Sequence, residues 1–178
     1  MAAVDLPTQH EAIHILEEGR ARIEELLDRL PAPGMTRPGL GGGTWSPKDL
    51  IGHLASWEEY ALDALAAWER DERAPIDELQ FTLSTSRIND QAVQRKAAWS
   101  VARVRRDADR THRELIEAIA GMSDVRWYAP TTSRGRKPLG ARVGAILSGA
   151  RPFDHDGSHL KSLRTFVERH ASDPRTRA

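Results

Sequence analysis

The sequence contains no cysteine among its 178 residues. Disulfide bonds, thiolate metal ligands and a cysteine nucleophile are therefore excluded, and any thiol chemistry needs an external thiol. The chain also lacks an excess of charge of either sign, because 26 Lys and Arg residues balance 26 Asp and Glu residues. A strong nucleic-acid or anionic-membrane binder normally carries a basic excess. We therefore expect neither nucleic acid nor a membrane as a partner.

Long apolar runs are missing as well. No segment is long enough to span a bilayer, and residues 1–5 turn polar without the basic and apolar regions of a signal peptide. These absences predict a cytoplasmic protein. The composition, 39% hydrophobic and 29% charged, is typical of a globular chain. We expect a single domain over residues 1–170 and a polar tail over residues 171–178.

Helical periodicity and helix-capping residues dominate the rest of the sequence. Thr8 and Glu11 form the pattern of a capping box. The apolar stripe that follows them stops before Pro31. Ser46 is a natural N-cap for a second helix, and Pro47 suits the first helical position.

The later helix boundaries are harder to place. Residues 77–86 are consistent with a loop or a short helix, and helical periodicity resumes at Arg87, with Ser100 as a potential cap of a new start. Residues 125–142 hold several prolines and glycines and indicate a connection with turns. We predict a last long helix over about residues 141–170. No strand pattern competes, so the sequence predicts an all-α four-helix bundle with one or two short accessory helices.

Three histidines share a geometric relationship. His155 and His159 are four residues apart, so both lie on one face of their helix. Counting about 100° per residue places that face, and His53 on the second helix, toward the bundle interior. Two imidazoles from one helix and a third from another can bind one metal ion. The spacing therefore indicates His53, His155 and His159 as candidate metal ligands.

A second interpretation of these histidines stays open from spacing alone. A single inward histidine is better explained as a hydrogen-bonded core residue. Burying three converging imidazoles without ligands for their lone pairs is costly, however. His10 and His14 share the four-residue spacing but lie off the apolar stripe, so we expect them to be solvated. His112 borders a stripe and is undecided.

Weaker candidates lie close to these histidines in sequence. Trp57 is a candidate pocket residue, and Glu58 is a candidate general base. Asp154 and Asp156 flank the first histidine of the pair and could orient it from outside the ligand shell, although solvated surface charges are the simpler expectation. Gly157 permits either close approach of a neighbour or a local kink.

A basic loop carries Arg134, Arg136, Lys137 and Arg142. It could hold a substrate carboxylate or phosphate, and a solvated connection is the simpler interpretation. Residues 41–43 are three glycines without the Gly-Lys-Ser/Thr ending of a phosphate loop, which excludes that site.

Two segments resemble the DinB-like superfamily of metal-binding four-helix proteins. Residues 45–57, Trp-Ser-Pro-Lys-Asp-Leu-Ile-Gly-His-Leu-Ala-Ser-Trp, look like the opening of its second helix, where a Trp-Ser-x-x-Asp motif precedes a histidine. Residues 155–160, His-Asp-Gly-Ser-His-Leu, look like the paired ligands of its last helix. The resemblance covers most of the chain and implies a divalent ion bound by His53, His155 and His159. Zinc or nickel is favoured, with copper, iron and manganese as alternatives.

The resemblance implies several activities. Some members are S-transferases or isomerases that use mycothiol or bacillithiol, and relatives that give self-resistance to a genotoxin act as hydrolases. Residues 159–166 look somewhat like the latter branch. We favour a low-molecular-weight-thiol-dependent S-transferase acting on a small electrophile, because the resemblance makes this the best-described chemistry among similar proteins. The absence of cysteine fits an external thiol but is equally compatible with hydrolysis. A metal-dependent hydrolase and a non-catalytic small-molecule-binding stress protein are the alternatives. Amphipathic surface on the first and last helices suggests a homodimer.

Overall fold

The computed structural model describes residues 6–133 and 135–171, and this part contains helices and turns but no strand. Its α-helices, in chain order, are α1 (Gln9–Leu27), α2 (Pro47–Glu69), α3 (Pro75–Thr82), α4 (Thr85–Lys96), α5 (Val101–Ala120), α6 (Asp124–Tyr128), α7 (Leu139–Ile146) and α8 (His155–His170). Two short 3-10 turns, Ala32–Thr36 and Leu40–Gly42, connect α1 to α2. The all-α prediction is confirmed. Arg134 and nearly all of the predicted tail lie outside the described residues.

The four long helices α1, α2, α5 and α8 form the predicted bundle. Helix α2 packs mainly against α5, and α1 packs mainly against α8. The contacts between α1 and α5 are sparser, and those between α2 and α8 are sparser still. The described residues also form the four shorter helices α3, α4, α6 and α7, which is more than the one or two accessory helices that we expected.

Side-chain caps explain where several helices begin. The Thr8 hydroxyl accepts a hydrogen bond from the backbone N–H of Glu11, whose carboxylate accepts one from the Thr8 backbone. Ser46 and Asp49 form the same reciprocal capping box at α2. Ser100 caps α5, so the predicted interruption of the third helical segment is confirmed. Each such cap satisfies a backbone N–H that lacks a partner in the first turn, which stabilises the helix by about 1 kcal/mol.

The predicted long helix over residues 141–170 is wrong, because the chain breaks between α7 and α8. Pro152 has no N–H to continue a helix, and Phe153 adopts a left-handed backbone conformation with φ 66°. The Phe153 ring is buried and stacks on Trp127, with ring centroids 5.8 Å apart. Burial of this ring offsets the strain of a non-glycine residue at positive φ and fixes the point at which α8 begins.

Two apolar clusters fill the interior. The first includes Leu16, Trp57, Ala61, Leu115, Trp127 and Phe153. The second includes Ile23, Leu54, Ala108, Leu160, Leu163 and Phe166. On α1, α2 and α5 one cluster gives way to the other, whereas the core residues of α8 all belong to the second cluster. The polar side chains of the candidate site lie near the boundary between the clusters.

The surface gives little support to the expected homodimer. The large exposed apolar side chains among the described residues are Phe81, Val125 and Tyr128, which lie on α3 and α6 rather than on α1 or α8. The homodimer therefore stays a prediction. Within the described residues, none of the helices combines the length and the apolar character that a membrane crossing requires.

Replacement of the buried ring, Phe153→Ala, is expected to lower the free energy of unfolding by about 3–5 kcal/mol, because it leaves a cavity and keeps the strained backbone. Urea unfolding followed by circular dichroism measures this change. The matched control is Phe81→Ala, whose side chain is 81% exposed, and it should change stability by no more than about 0.5 kcal/mol. Similar losses in the two variants would contradict the role assigned to Phe153.

Candidate metal centre

The structure brings the three predicted histidines together. The ring centroids of His53, His155 and His159 lie 4.9, 5.1 and 5.1 Å apart, which is nearly an equilateral triangle. His53 comes from the second turn of α2, and the other two come from the first turns of α8. His53 is only 1% exposed, and the α8 pair is partly buried.

The spacing of the ring nitrogens suits a single ion. The Nε2 of His155 lies 3.2 Å from the Nε2 of His53 and 3.4 Å from the Nε2 of His159. Two nitrogens that each bind zinc at its usual length, at the tetrahedral angle, are about 3.3–3.4 Å apart. The three residues each offer one ligand atom, all within 4.8 Å of one another. These residues could therefore hold a metal ion without a change of backbone.

Two tryptophan rings pack against the His53 ring. Trp45 lies on one side with its ring centroid 4.9 Å away, and Trp57 lies on another side at 6.4 Å. The Nδ1 of His53 is buried and finds no hydrogen-bond partner among the described residues. The capping box at Ser46 begins α2 and so sets the register that turns His53 inward.

The start of α8 sets the direction of the other two histidines. The backbone N–H of His155 donates to the carbonyl of Leu147, which ties the first residue of α8 back to α7. A Cβ on Gly157 would lie 2.0 Å from Oδ1 of Asp154. Gly157 thus makes room for the Asp154 side chain at the helix start, a role outside the two that the sequence left open, close approach of a neighbour and a local kink.

All three imidazoles are held in the neutral form that a metal ligand requires. Burial, with smaller contributions from the neighbouring His155 and His159, lowers the pKa of His53 to about 2. Burial lowers the pKa of His155 to about 3, with contributions from His159 and from the Arg20 charge. Burial also lowers the pKa of His159. At neutral pH, protons therefore do not compete for these nitrogens.

A cavity of about 190 Å³ opens onto the three histidines. Its other walls come from α2, from the shorter helices α3, α4 and α7, and from the segment that follows α7. The residues that line it, besides the histidines, are Trp57, Gln80, Thr85, Asn89, Ala145, Ile146 and Ser148. Larger surface grooves lie elsewhere, and the largest, near Trp68 and Thr131, contains none of the three histidines.

Two acidic residues have partners that the sequence did not suggest. Glu58, expected as a base at the pocket edge, is buried away from the cavity and bound by Arg20 at 3.1 Å and by His112 at 2.6 Å. Asp156, expected as a solvated charge, is 7% exposed and bound by Arg20 at 3.2 Å. The signal that could have revealed this network is Arg20 itself, which lies on the apolar stripe of α1 between Leu16 and Ile23.

The remaining sequence candidates lie away from the cavity. His10 and His14 are exposed, as predicted. Arg142 pairs with Asp77, and Arg136 is solvated, so the described part of the basic loop forms no anion site with the histidines.

The cavity residue Asn89 was not predicted from the sequence. Only the fold of α4 reveals it, because its Oδ1 accepts a hydrogen bond of 2.9 Å from the indole N–H of Trp57.

The fold and the cavity together define a class of protein, a helical bundle with a histidine triad in its core. The chain belongs to the DinB superfamily, whose sequence profile matches residues 15–160. Comparison with curated proteins by sequence finds no match.

Two solved structures share the fold. An uncharacterised protein from Escherichia coli UTI89 superposes with a TM-score of 0.75 at 12% identity, over 94% of this chain and 97% of the other. The colibactin self-resistance protein ClbS, determined in complex with a dsDNA, superposes with a TM-score of 0.66 at 13% identity, over 94% of this chain and 95% of the other. At these identities the likeness shows the fold alone.

The lowered histidine pKa values predict how stability depends on pH when a chelator removes any metal. Below about pH 6.5 the unfolded chain takes up protons at His53 and His155, whereas the folded chain does not until about pH 3. The free energy of unfolding should therefore fall as the pH is lowered, by about 2 kcal/mol for each imidazole between pH 7 and pH 5.

Urea unfolding at these two pH values tests the assignment. In His53→Leu, the difference in unfolding free energy between pH 7 and pH 5 should be smaller than in the wild type by about 2 kcal/mol. The exposed-site control His10→Leu should keep the wild-type difference. An unchanged difference in His53→Leu would show that His53 is not buried in the neutral form.

Proposed function

We propose that the protein is a metal-dependent enzyme in which His53, His155 and His159 hold one divalent ion, zinc or nickel. The observation that carries the proposal is the convergence of three neutral imidazoles at ligand spacing beside a cavity. Members of the DinB superfamily typically bind metal, which also supports it. Among the described residues no fourth histidine or carboxylate joins the group. Three protein ligands suit a catalytic site, because structural zinc sites are closed by four.

When bound, such an ion lowers the pKa of a thiol or water that takes its remaining coordination position, which gives a nucleophile near neutral pH. The chain contains no cysteine, so a thiol has to come from outside. A low-molecular-weight thiol such as mycothiol or bacillithiol is the proposed co-substrate. The cavity, at about 190 Å³, is smaller than the roughly 300 Å³ and more that encloses a drug-sized ligand. Only the reacting end of the thiol therefore enters.

The cavity walls favour a small neutral electrophile as the second substrate. Apart from the histidines, none of the described residues that line the cavity is charged. A charged substrate would lose its hydration there without gaining a partner. The indole N–H of Trp57 can only donate, so it fixes the carbonyl oxygen of Asn89. The NH₂ group of Asn89 is then left to donate a hydrogen bond to an acceptor atom of the electrophile.

The proposed reaction is an S-transfer. The S–H bond of the thiol breaks, a bond forms between sulfur and the electrophilic carbon, and the bond from that carbon to its leaving group breaks. No carboxylate lines the described cavity, so the thiol proton leaves through the open mouth to solvent and ends on the leaving group or on buffer. Glu58 does not serve as the base, because its two oxygens are bound by Arg20 and His112.

Hydrolysis is the second candidate, with water in place of the thiol. The observation that favours it is the fold likeness to ClbS, a colibactin self-resistance protein. A non-catalytic protein that binds a small molecule is the third. Such a protein would bind its ligand in the same cavity and would show no turnover with either a thiol or water.

The dsDNA bound to ClbS bears on our expectation of no nucleic-acid partner. On this chain the basic side chains Arg22, Arg151, Lys161 and Arg164 line one surface groove together with Asp154. The net charge is zero, however, so the long-range attraction that supports binding to the phosphate backbone is weak. We therefore keep a small molecule as the proposed partner.

Elemental analysis of the purified protein is expected to find close to one divalent ion per chain. The metal content of the double variant His155→Ala/His159→Ala should be lower by about 10-fold or more, because two of the three ligands are gone. The matched control is His10→Ala/His14→Ala, which removes an exposed histidine pair of the same spacing and should keep the wild-type content. Equal metal content in the wild type and the α8 variant would refute the site.

Conjugation of a small neutral electrophile is expected to require both the metal and added mycothiol or bacillithiol. His53→Ala should lower kcat/KM by about 100-fold or more, because the nucleophile is no longer activated. Mass spectrometry of the thioether product measures the reaction. Turnover at the same rate without any thiol would exclude S-transfer and favour hydrolysis. Binding without turnover under either condition would favour the non-catalytic alternative.

A further inference from the structure

A layer of charged side chains crosses the bundle interior and has no part in the chemistry proposed above. Each long helix contributes one residue to it, Arg20 from α1, Glu58 from α2, His112 from α5 and Asp156 from α8. Nη2 of Arg20 lies 3.1 Å from Glu58, and its Nε lies 3.2 Å from Asp156. His112 Nδ1 donates to the other oxygen of Glu58 at 2.6 Å.

Burial of this charged layer is expected to add little net stability to the fold. The side chains of Arg20, Glu58 and Asp156 are all at most 10% exposed. Removing such charges from water costs about as much as their attraction returns, and well-packed apolar side chains often stabilise a protein equally well. In some proteins a buried ion pair instead specifies the geometry between the elements that it joins.

In this protein the ion pairs define the position of α2 relative to α8, the two helices that carry the histidines. Helix α2 carries His53, helix α8 carries the other two histidines, and direct contacts between α2 and α8 are few. Arg20 bridges them from α1. Its guanidinium binds Glu58, a little over one turn beyond His53, and Asp156, directly after His155.

The backbones of α1 and α8 also approach closely at this level. A Cβ on Gly19 would lie 3.0 Å from the Cβ of Asp156, so a side chain at residue 19 would require Asp156 to give by a few tenths of an ångström. The rotation of the first turn of α8 is therefore restricted, and with it the direction of the two histidines on that turn.

We infer that Arg20 is a positioning residue for the metal centre. By binding one carboxylate on α2 and one on α8 with a single planar group, it fixes the separation of the two helices and so the spacing of the three imidazoles. Lysine would not replace it, because an ammonium group lacks the rigid fork that reaches two carboxylates in fixed directions. The inference rests on the proposed metal site.

The test compares metal affinity with stability in variants of the full chain. The triple variant Arg20→Met/Glu58→Gln/Asp156→Asn removes the bridge without leaving an unpaired buried charge. We expect its helix content and thermal unfolding to stay close to wild type in the metal-free protein, while the Kd for Zn²⁺ rises about 10- to 100-fold, as for other residues that orient metal ligands from outside the ligand shell. A second variant, Arg20→Lys, keeps the charge and loses the fork, and its Kd should rise as well.

Bound Co²⁺ gives a second measurement, since its visible spectrum reports coordination geometry. Both Arg20 variants are expected to change this spectrum at saturating Co²⁺, an effect that a loss of stability alone does not produce. The matched control is Lys96→Met/Glu59→Gln/Asp107→Asn. Lys96 lies 2.7 Å from each of its two carboxylates and joins α2, α4 and α5, but not α8. This control should leave the Kd and the spectrum unchanged.

The outcomes separate the inference from the proposed function. If the wild type binds Zn²⁺ through the histidines and the Arg20 variants bind it with unchanged Kd and spectrum, the positioning role is wrong and the metal site stands. Equal loss of affinity in the Arg20 and Lys96 triple variants would also overturn the role, because it would indicate a general effect on the fold. If the wild type and His53→Ala bind Zn²⁺ equally, the metal site itself is wrong and the inference falls with it.

Discussion

Polar groups can be buried in a small helical bundle only if each one is neutral or paired, because unpaired polar groups and charges lose their hydration. The arrangement of this protein follows from that constraint. Burial keeps the histidine triad neutral, and the charges beside it are paired by one guanidinium. Both sets lie near the boundary of the two apolar clusters.

The features that the sequence predicted correctly are those that depend on residues within about one helical turn. The capping boxes at Thr8 and Ser46 and the cap at Ser100 belong to this group. So does the inward direction of His53, because the helical period alone relates it to the apolar residues around it. The side-by-side placement of the α8 histidines needs only their four-residue spacing.

The features that the sequence did not predict depend on partners far away along the chain. Glu58 and Asp156 have the charge of surface residues, and only the approach of Arg20 from α1 makes their burial possible. The break before α8 depends on the stacking of Phe153 on Trp127, which holds a backbone conformation that phenylalanine rarely adopts. Periodicity describes one helix at a time and carries no information on such pairs.

The same difference between local and long-range features applies to the candidate site. Its metal ligands could be predicted from the sequence, whereas the residues that would determine its specificity could not. The long helices α2 and α8 supply the three imidazoles, and their strong periodicity made these residues visible in the sequence. Much of the cavity wall comes from the short helices α3, α4 and α7. The sequence left the bounds of α3 and α4 open and merged α7 with α8 in one predicted helix. Solved structures at 12% and 13% identity keep the bundle over nearly the whole chain, because a bundle requires only apolar periodicity and suitable caps. In the proposed function a substrate is recognised by particular side chains of the cavity wall such as Asn89, and likeness of fold says little about such side chains.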